Sequence, residues 1–221
     1  MGSLKKYLQK THNSTNRNYI ERMMGQKVKC MIEAKKYSKN YWDGDRKYGY
    51  GGYKFIPNYW KPLAKKLIKD YRLSKTSKVL DIGCGKGYLL YELKKMIPEI
   101  TIVGIDISKY ALKNSHPNIK KYLTIKDARK SLSFNNNYFD LTISLGTFHN
   151  FKNYELEIAI KEVTRISKNS YIMVESFRNN KELFNLQCWA LTANTFLDTK
   201  EWSYLFKKLN YKGDYEFIFF K

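Results

Sequence analysis

Apolar residues recur along this chain with two periods, and the pattern switches between them repeatedly. Between residues 16 and 37 they return at helical spacing, at Ile20, Met23 or Met24, Val28, Met31 and Ala34, which predicts one amphipathic helix. Residues 59–71 repeat the pattern with Leu63, Ala64, Leu67, Ile68 and Tyr71 on one face. An apolar-leaning run at 79–82 then predicts a strand, and Leu89, Leu90, Leu93 and Ile97 predict a helix directly after it. Further strands are predicted at 101–106, 121–125, 141–145, 170–175 and 215–220. The helices between them fall near Ala111 and Leu112 and at 154–166, 183–191 and 202–209, with Ser108 and either Asp198 or Thr199 placed as caps. Six strands alternating with helices define an α/β fold: a Rossmann-like, doubly wound, mostly parallel sheet with helices on both faces.

The pattern divides the chain at residue 58. Residues 1–58 read as a helical arm ending in a lid loop, and residues 59–221 as the sheet domain. The arm helix suits two compatible roles, packing on the sheet or covering the cleft. Residues 41–53 carry four glycines among five aromatic rings, Tyr41, Trp42, Tyr48, Tyr50 and Tyr53. Glycine at that density opposes a regular helix and lets backbone and rings approach a ligand closely, so the stretch reads as a binding loop. Arg46, Tyr50 and Tyr53 are its candidate substrate contacts.

The first strand runs straight into Gly83-Cys84-Gly85-Lys86-Gly87 and then into a helix. Such a turn presents free amides and the positive end of a helix to a crevice at the carboxyl end of the strand. The spacing is Gly-x-Gly-x-Gly, without the Gly-Lys-Ser/Thr ending of a phosphate-cradling loop. Asp81 precedes the first glycine, which suits a ligand with a cationic amino acid end. A second strand ends at Asp106, 23 positions after Gly83, where a ribose-binding acid stands in sites of this type.

Val-Leu-Asp-Ile-Gly-Cys-Gly-Lys-Gly followed by Val-Gly-Ile-Asp-Ile-Ser resembles the first two motifs of the class I S-adenosylmethionine-dependent methyltransferases. The resemblance implies S-adenosylmethionine as cofactor, with contacts from Asp81, Gly83, Cys84, Gly85, Gly87, Asp106, Ile107, Asp127, Ala128 and Leu145. Asp127 matches the acid that reads the exocyclic amine of adenine, or else is a turn or cap. The family sheet has seven strands, the last two forming a hairpin with one antiparallel member, so six to seven are expected here and the hairpin reads as truncated.

The resemblance also bears on the acceptor. Nucleobase amine methyltransferases carry Asn/Asp-Pro-Pro-aromatic after strand four, whereas this chain has Leu145-Gly-Thr-Phe-His149-Asn150. That matches the small-molecule branch and weighs against a nucleic acid acceptor. His149 reads as a proton acceptor, since an imidazole titrates near neutrality, or as a structural histidine. Asn150, Tyr19, Glu175 and Arg178 complete the candidate substrate residues, with Glu175 and Arg178 reading equally as an ion pair across the strand ends.

Charge changes this picture little. The formal net charge is +21, but lysine supplies 34 of the 41 basic residues and asparagine is frequent at 18, a pattern of AT-rich coding. Nucleic acid grooves rely on bidentate arginine, and the basic residues are dispersed, so a small anionic acceptor fits better than RNA. Cys30, Cys84 and Cys188 are scattered, which predicts a reducing cytoplasm with no zinc site and no disulfide. No apolar run approaches the roughly 20 residues of a membrane span. Oligomeric state is not legible.

A closer resemblance covers most of the chain. His12-Asn-x-x-x-Arg17-x-Tyr19, the aromatic and glycine loop, and Trp189-Ala-Leu-Thr-Ala with Glu201-Trp202 and Gly213-Asp214-Tyr215 resemble bacterial methyltransferases encoded among capsule and surface-polysaccharide genes. Some of these are associated with an O-methyl phosphoramidate decoration. This resemblance implies a small, phosphorylated acceptor.

Overall fold

The computed structural model describes residues 2–221. An arm of four short helices, α1 (Gln9–Asn13), α2 (Tyr19–Met24), α3 (Lys27–Ala34) and α4 (Lys39–Asp43), precedes α5 (Lys61–Asp70). The alternating part follows: β1 (Lys78–Ile82), α6 (Tyr88–Met96), β2 (Thr101–Asp106), α7 (Lys109–Lys113), β3 (Leu123–Ile125), β4 (Phe139–Leu145), α8 (Asn153–Ile166), β5 (Ser167–Glu175), α9 (Asn180–Trp189), α10 (Thr199–Lys208) and β6 (Asp214–Ile218). The strands form one sheet in the order β3-β2-β1-β4-β5-β6. Every neighbouring pair is parallel, giving six strands, within the expected six to seven, with no antiparallel member among the described residues.

Alternation along each strand separates two cores. Leu80, Ile82, Ile172 and Val174 face α8 and α10, meeting Leu156, Ile160, Val163, Trp202 and Phe206. Val79, Leu141, Ile143, Tyr171 and Met173 face α5 and α6, meeting Leu63, Leu67, Leu89, Leu90 and Leu93. Strand order reverses between β1 and β4, which opens a crevice at their carboxyl ends. The predicted caps form: Ser108 Oγ accepts from Ala111 N, and the Asp198 carboxylate from Lys200 N and Glu201 N.

The arm departs from its sequence reading. Residues 16–37 form two helices, broken at Gly25 and Gln26, the latter at φ 57°. Of the apolar series, Ile20, Met24 and Val28 are 58%, 79% and 71% exposed, whereas Ala34 is buried, together with Cys30. Residues 41–53 are not wholly irregular, because α4 carries Tyr41, Trp42 and Asp43 before the glycines begin. What holds the arm is a carboxylate. Glu216 of β6 is buried and accepts from the amides of Tyr7, Leu8 and Gln9 at 2.8, 2.9 and 2.9 Å, placing a negative charge at the start of α1. Tyr171 donates to the same carboxylate.

Candidate active site

The glycine turn is built for close approach. Gly83, Gly85 and Gly87 all have positive φ, at 75°, 55° and 74°, which L side chains adopt only with strain. Gly83 N and Cys84 N donate to Ile105 O at 2.8 and 3.1 Å, tying the turn to β2. A Cβ on Gly83 would lie 1.9 Å from Thr147 Oγ1, and one on Gly85 would lie 2.8 Å from the Trp42 ring. Gly87 serves packing instead: its Cβ would meet Ile119 at 2.4 Å, and it does not line the crevice. Gly83→Ala is therefore expected to weaken S-adenosylhomocysteine binding by roughly tenfold or more, through strain and displacement of Thr147; equal calorimetric affinity in the variant would contradict this.

Two acids flank the turn. Asp106 accepts Gly85 N on Oδ2 and Ser108 N on Oδ1, both at 2.8 Å, so backbone amides fix its carboxylate. Burial raises its pKa against those amides. Asp81 is 5% exposed, and burial, then the nearby Asp106, pushes it up to about 7. Two desolvated carboxylates with no cation of their own suit a ligand that brings an ammonium.

The aromatic segment closes over the turn. Trp42 is buried, donates Nε1 to Ser108 Oγ at 2.8 Å, and stacks on Tyr50 at 5.3 Å between centroids. Tyr53 stacks on Tyr88 at 5.3 Å. The buried Lys86 ammonium, inside the glycine turn itself, holds Asp43 at 2.7 and 2.8 Å and the Tyr53 carbonyl at 2.8 Å. Tyr110 donates to the same aspartate at 2.9 Å.

Two compartments result. The larger, about 480 Å³, holds Asp81, Gly83, Cys84 and Gly85 at one end and His149, Glu175 and Arg46 beyond them. The smaller, about 80 Å³, is lined by Asp106, Ile107, Asp127, Ala128 and Asn150. They share Tyr41, Trp42, Tyr50, Gly83, Leu145 and Gly146. These residues fit the expected cofactor: Asp81 would meet its amino acid end, Asp106 its ribose, and the smaller compartment its base. Asp127 is gripped by Arg129 at 2.8 Å through two nitrogens, and this hydrogen bonding lowers its pKa. Asn150, expected among the substrate residues, lines the smaller compartment and not the larger. Its Nδ2 donates to Gly146 O, while Oδ1 is buried without a partner and so can accept from an amine.

His149 lines the larger compartment and is 4% exposed. Glu175 N donates to its Nδ1 at 3.2 Å, and Glu175 Oε2 lies 3.4 Å from Nε2. Burial lowers its pKa and so favours the neutral ring, and with Nδ1 accepting from Glu175 N the proton of that form is on Nε2. The imidazole expected to accept a proton thus has its free lone pair already engaged, and the open carboxylate of Glu175 is the better placed base.

Two further expected substrate residues, Arg178 and Tyr19, take other positions. Arg178 does not face the cavity; it pairs with Glu182 one helical turn on and lies over Phe219, 4.2 Å from the ring centre. It therefore makes no ion pair with Glu175. Tyr19 does not line the cavity and meets Trp189 in a T-shaped contact, with ring centres 6.1 Å apart. Sequence reading gave no role to Arg22, which lines the larger cavity beside Arg17 and Arg46. A usable signal was arginine scarcity: only 7 occur in the chain, and 3 of them meet here.

A model of the methyltransferase domain family matches residues 73–212. The chain is 31% identical over 129 residues to the mitochondrial arginine-hydroxylase NDUFAF5 of Mus musculus, covering 58% of this chain and 35% of that protein. It is also 31% identical over 113 residues to demethylmenaquinone methyltransferase of Staphylococcus carnosus (strain TM300), covering 49% and 46%. The chain thus spans between about a third and a half of the length of these relatives. Among solved structures, the YcgJ protein of Bacillus subtilis aligns with a TM-score of 0.54 and 19% identity over 66% of both chains. The MccD protein aligns at 0.52 with 22% identity over 67% of this chain and 69% of that one. At these identities the structural likeness is one of fold. With the glycine turn, its two acids and five of the six strands inside the matched segment, the chain belongs to the methyltransferase domain family, in its class I, S-adenosylmethionine-dependent form.

Proposed function

We propose that this protein transfers a methyl group from S-adenosylmethionine to a small, polar, phosphorylated acceptor used in making surface or capsular polysaccharide. The observation that carries the reading is the larger cavity, which runs from the glycine turn past His149 and Glu175 under a roof of aromatic rings. At about 480 Å³ it suits a small molecule. The polysaccharide setting, with an O-methyl phosphoramidate precursor as one candidate, rests on the resemblance of the arm and tail motifs.

The cofactor, when bound, supplies an activated methyl on sulfur. The protein's work is then positioning, which can supply about 7–11 kcal/mol when acceptor and methyl are held in line. Asp81, Asp106 and the glycine turn hold the donor, while the Trp42 and Tyr53 stacks exclude water. The Glu175 carboxylate can take the proton of a hydroxyl acceptor, held in place by the Nε2 proton of His149; a phosphate-type oxygen, already anionic, needs no base.

Purified protein incubated with methyl-labelled donor and a panel of nucleotide-linked and phosphorylated sugars is expected to label the small-molecule fraction. Label recovered in RNA alone would overturn the acceptor class.

A further inference from the structure

Beyond His149 the larger cavity ends among three guanidiniums arranged around one indole. The Cζ atoms of Arg17, Arg22 and Arg46 lie 5.4, 4.6 and 4.9 Å from the centre of the Trp189 ring. All three line the cavity, together with His12 and Trp189. They reach this point from three separate stretches: the loop after α1, helix α2 and the single turn of 3₁₀ helix at Arg46–Tyr48. Helix α2 packs on α9, whose last residue is Trp189.

No carboxylate neutralises them. Arg17 Nη1 donates to the carbonyls of His12 and Thr15 at 3.0 and 3.1 Å. Arg22 donates to the carbonyls of Trp189 at 3.3 Å and Arg46 at 2.6 Å. Arg46 Nη1 donates to the carbonyls of Gly49 and Tyr50 at 2.9 and 3.0 Å. Neutral acceptors thus fix the three forks while their charge stays unspent. Among the described residues none of the three forms an ion pair within 4.0 Å, and Arg17 Nε and His12 Nε2 are buried without a hydrogen-bond partner. Burial, then the neighbouring Arg46, holds the Arg22 pKa down to about 10, so it remains charged at neutral pH.

Like charges gathered in a partly dried site repel unless an anion joins them. Planar forks of N–H donors match the oxygens of a tetrahedral oxyanion, and the indole face holds the forks by cation–π contact. Lys54 lines the same cavity as a fourth cation, and Glu175 and Asp81 are its two carboxylates, so four positive charges less two negative leave two positive charges. That balance suits a dianion better than a carboxylate.

We propose that Arg17, Arg22 and Arg46, with His12 as a further donor, form a binding site for a dianionic, phosphate-type group carried by the methyl acceptor. The role of that group as part of an acceptor rests on the methyltransferase reading; the anion site itself stands on the arginines. Inorganic phosphate, titrated by calorimetry into protein saturated with S-adenosylhomocysteine, is expected to bind saturably, with acetate binding at least about tenfold more weakly. Arg22→Met and Arg46→Met, which keep the aliphatic stems, should each weaken phosphate binding about tenfold or more and leave S-adenosylhomocysteine affinity within roughly twofold. Arg46 is exposed, so its variant tests the site with little risk to the fold. Bound S-adenosylhomocysteine with no phosphate binding, or phosphate binding unchanged in both variants, would overturn the site. Phosphate binding that needs the arginines, in protein that ignores S-adenosylhomocysteine, would uphold the site and remove the cofactor reading instead.

Discussion

Asp106→Ala is expected to weaken S-adenosylhomocysteine binding by about a hundredfold or more, measured by calorimetry. Hydrogen bonds to a charged group contribute roughly 1.5–3 kcal/mol each, and a ribose bound as proposed would present two hydroxyls to this carboxylate, so the lost interaction is about 3 kcal/mol or more. The substitution acts a second time through the protein. Gly85 N and Ser108 N both donate to the Asp106 side chain, and both lose their acceptor. The glycine turn should then loosen, and the thermal midpoint of the ligand-free protein should fall by several degrees. Asp106→Asn separates these two effects, since its amide oxygen still accepts one of the backbone N–H groups while the charge is gone. Affinity within about fivefold of the parent in the alanine variant would show that the ribose lies elsewhere.

The parts of this site that were legible in the sequence are those made by neighbours in the chain. Asp81 and the glycines belong to one strand and its turn, so their spacing alone fixes their geometry. Ser108 and Asp198 cap helices that begin beside them. The acceptor end was hidden because distance along the chain assembles it. Glu216, near the last residue, anchors α1, and α2 reaches Trp189 only because the arm folds back over the carboxyl ends of the strands. Nothing local to Arg22 announces that. Arg178 misled for the opposite reason: its place after a strand end pointed it at the crevice, but Glu182 stands one turn along and captures it. Ile20, Met24 and Val28 kept helical spacing without a partner to cover them, so periodicity implied a burial that the arm does not supply.

Asp81→Asn should raise the stability of the ligand-free protein at pH 8 while sharply reducing its affinity for S-adenosylhomocysteine. Burial, then Asp106, lifts the Asp81 pKa from 3.8 to about 7. Between those values the folded protein keeps a proton that the unfolded chain has released. Stability therefore declines as pH rises through this window, and the loss is complete above about 7. Asparagine keeps the size and removes the charge, so the variant should gain on the order of 2 kcal/mol at pH 8 and nothing near pH 4. Urea titrations at the two pH values read this difference directly. Ligand binding should run the other way. The ammonium of S-adenosylhomocysteine favours the ionised carboxylate, so affinity in the parent protein should strengthen as pH rises toward 7 and then level off. In the variant that slope should be absent and affinity about tenfold or more lower at pH 8. A variant equally stable at pH 4 and pH 8 relative to the parent, with the pH slope of binding intact, would show that Asp81 neither stores this strain nor meets the ligand's amino group. The two halves of the result belong together: a carboxylate left unpaired in the empty crevice weakens the fold by the same desolvation that makes it select a cation.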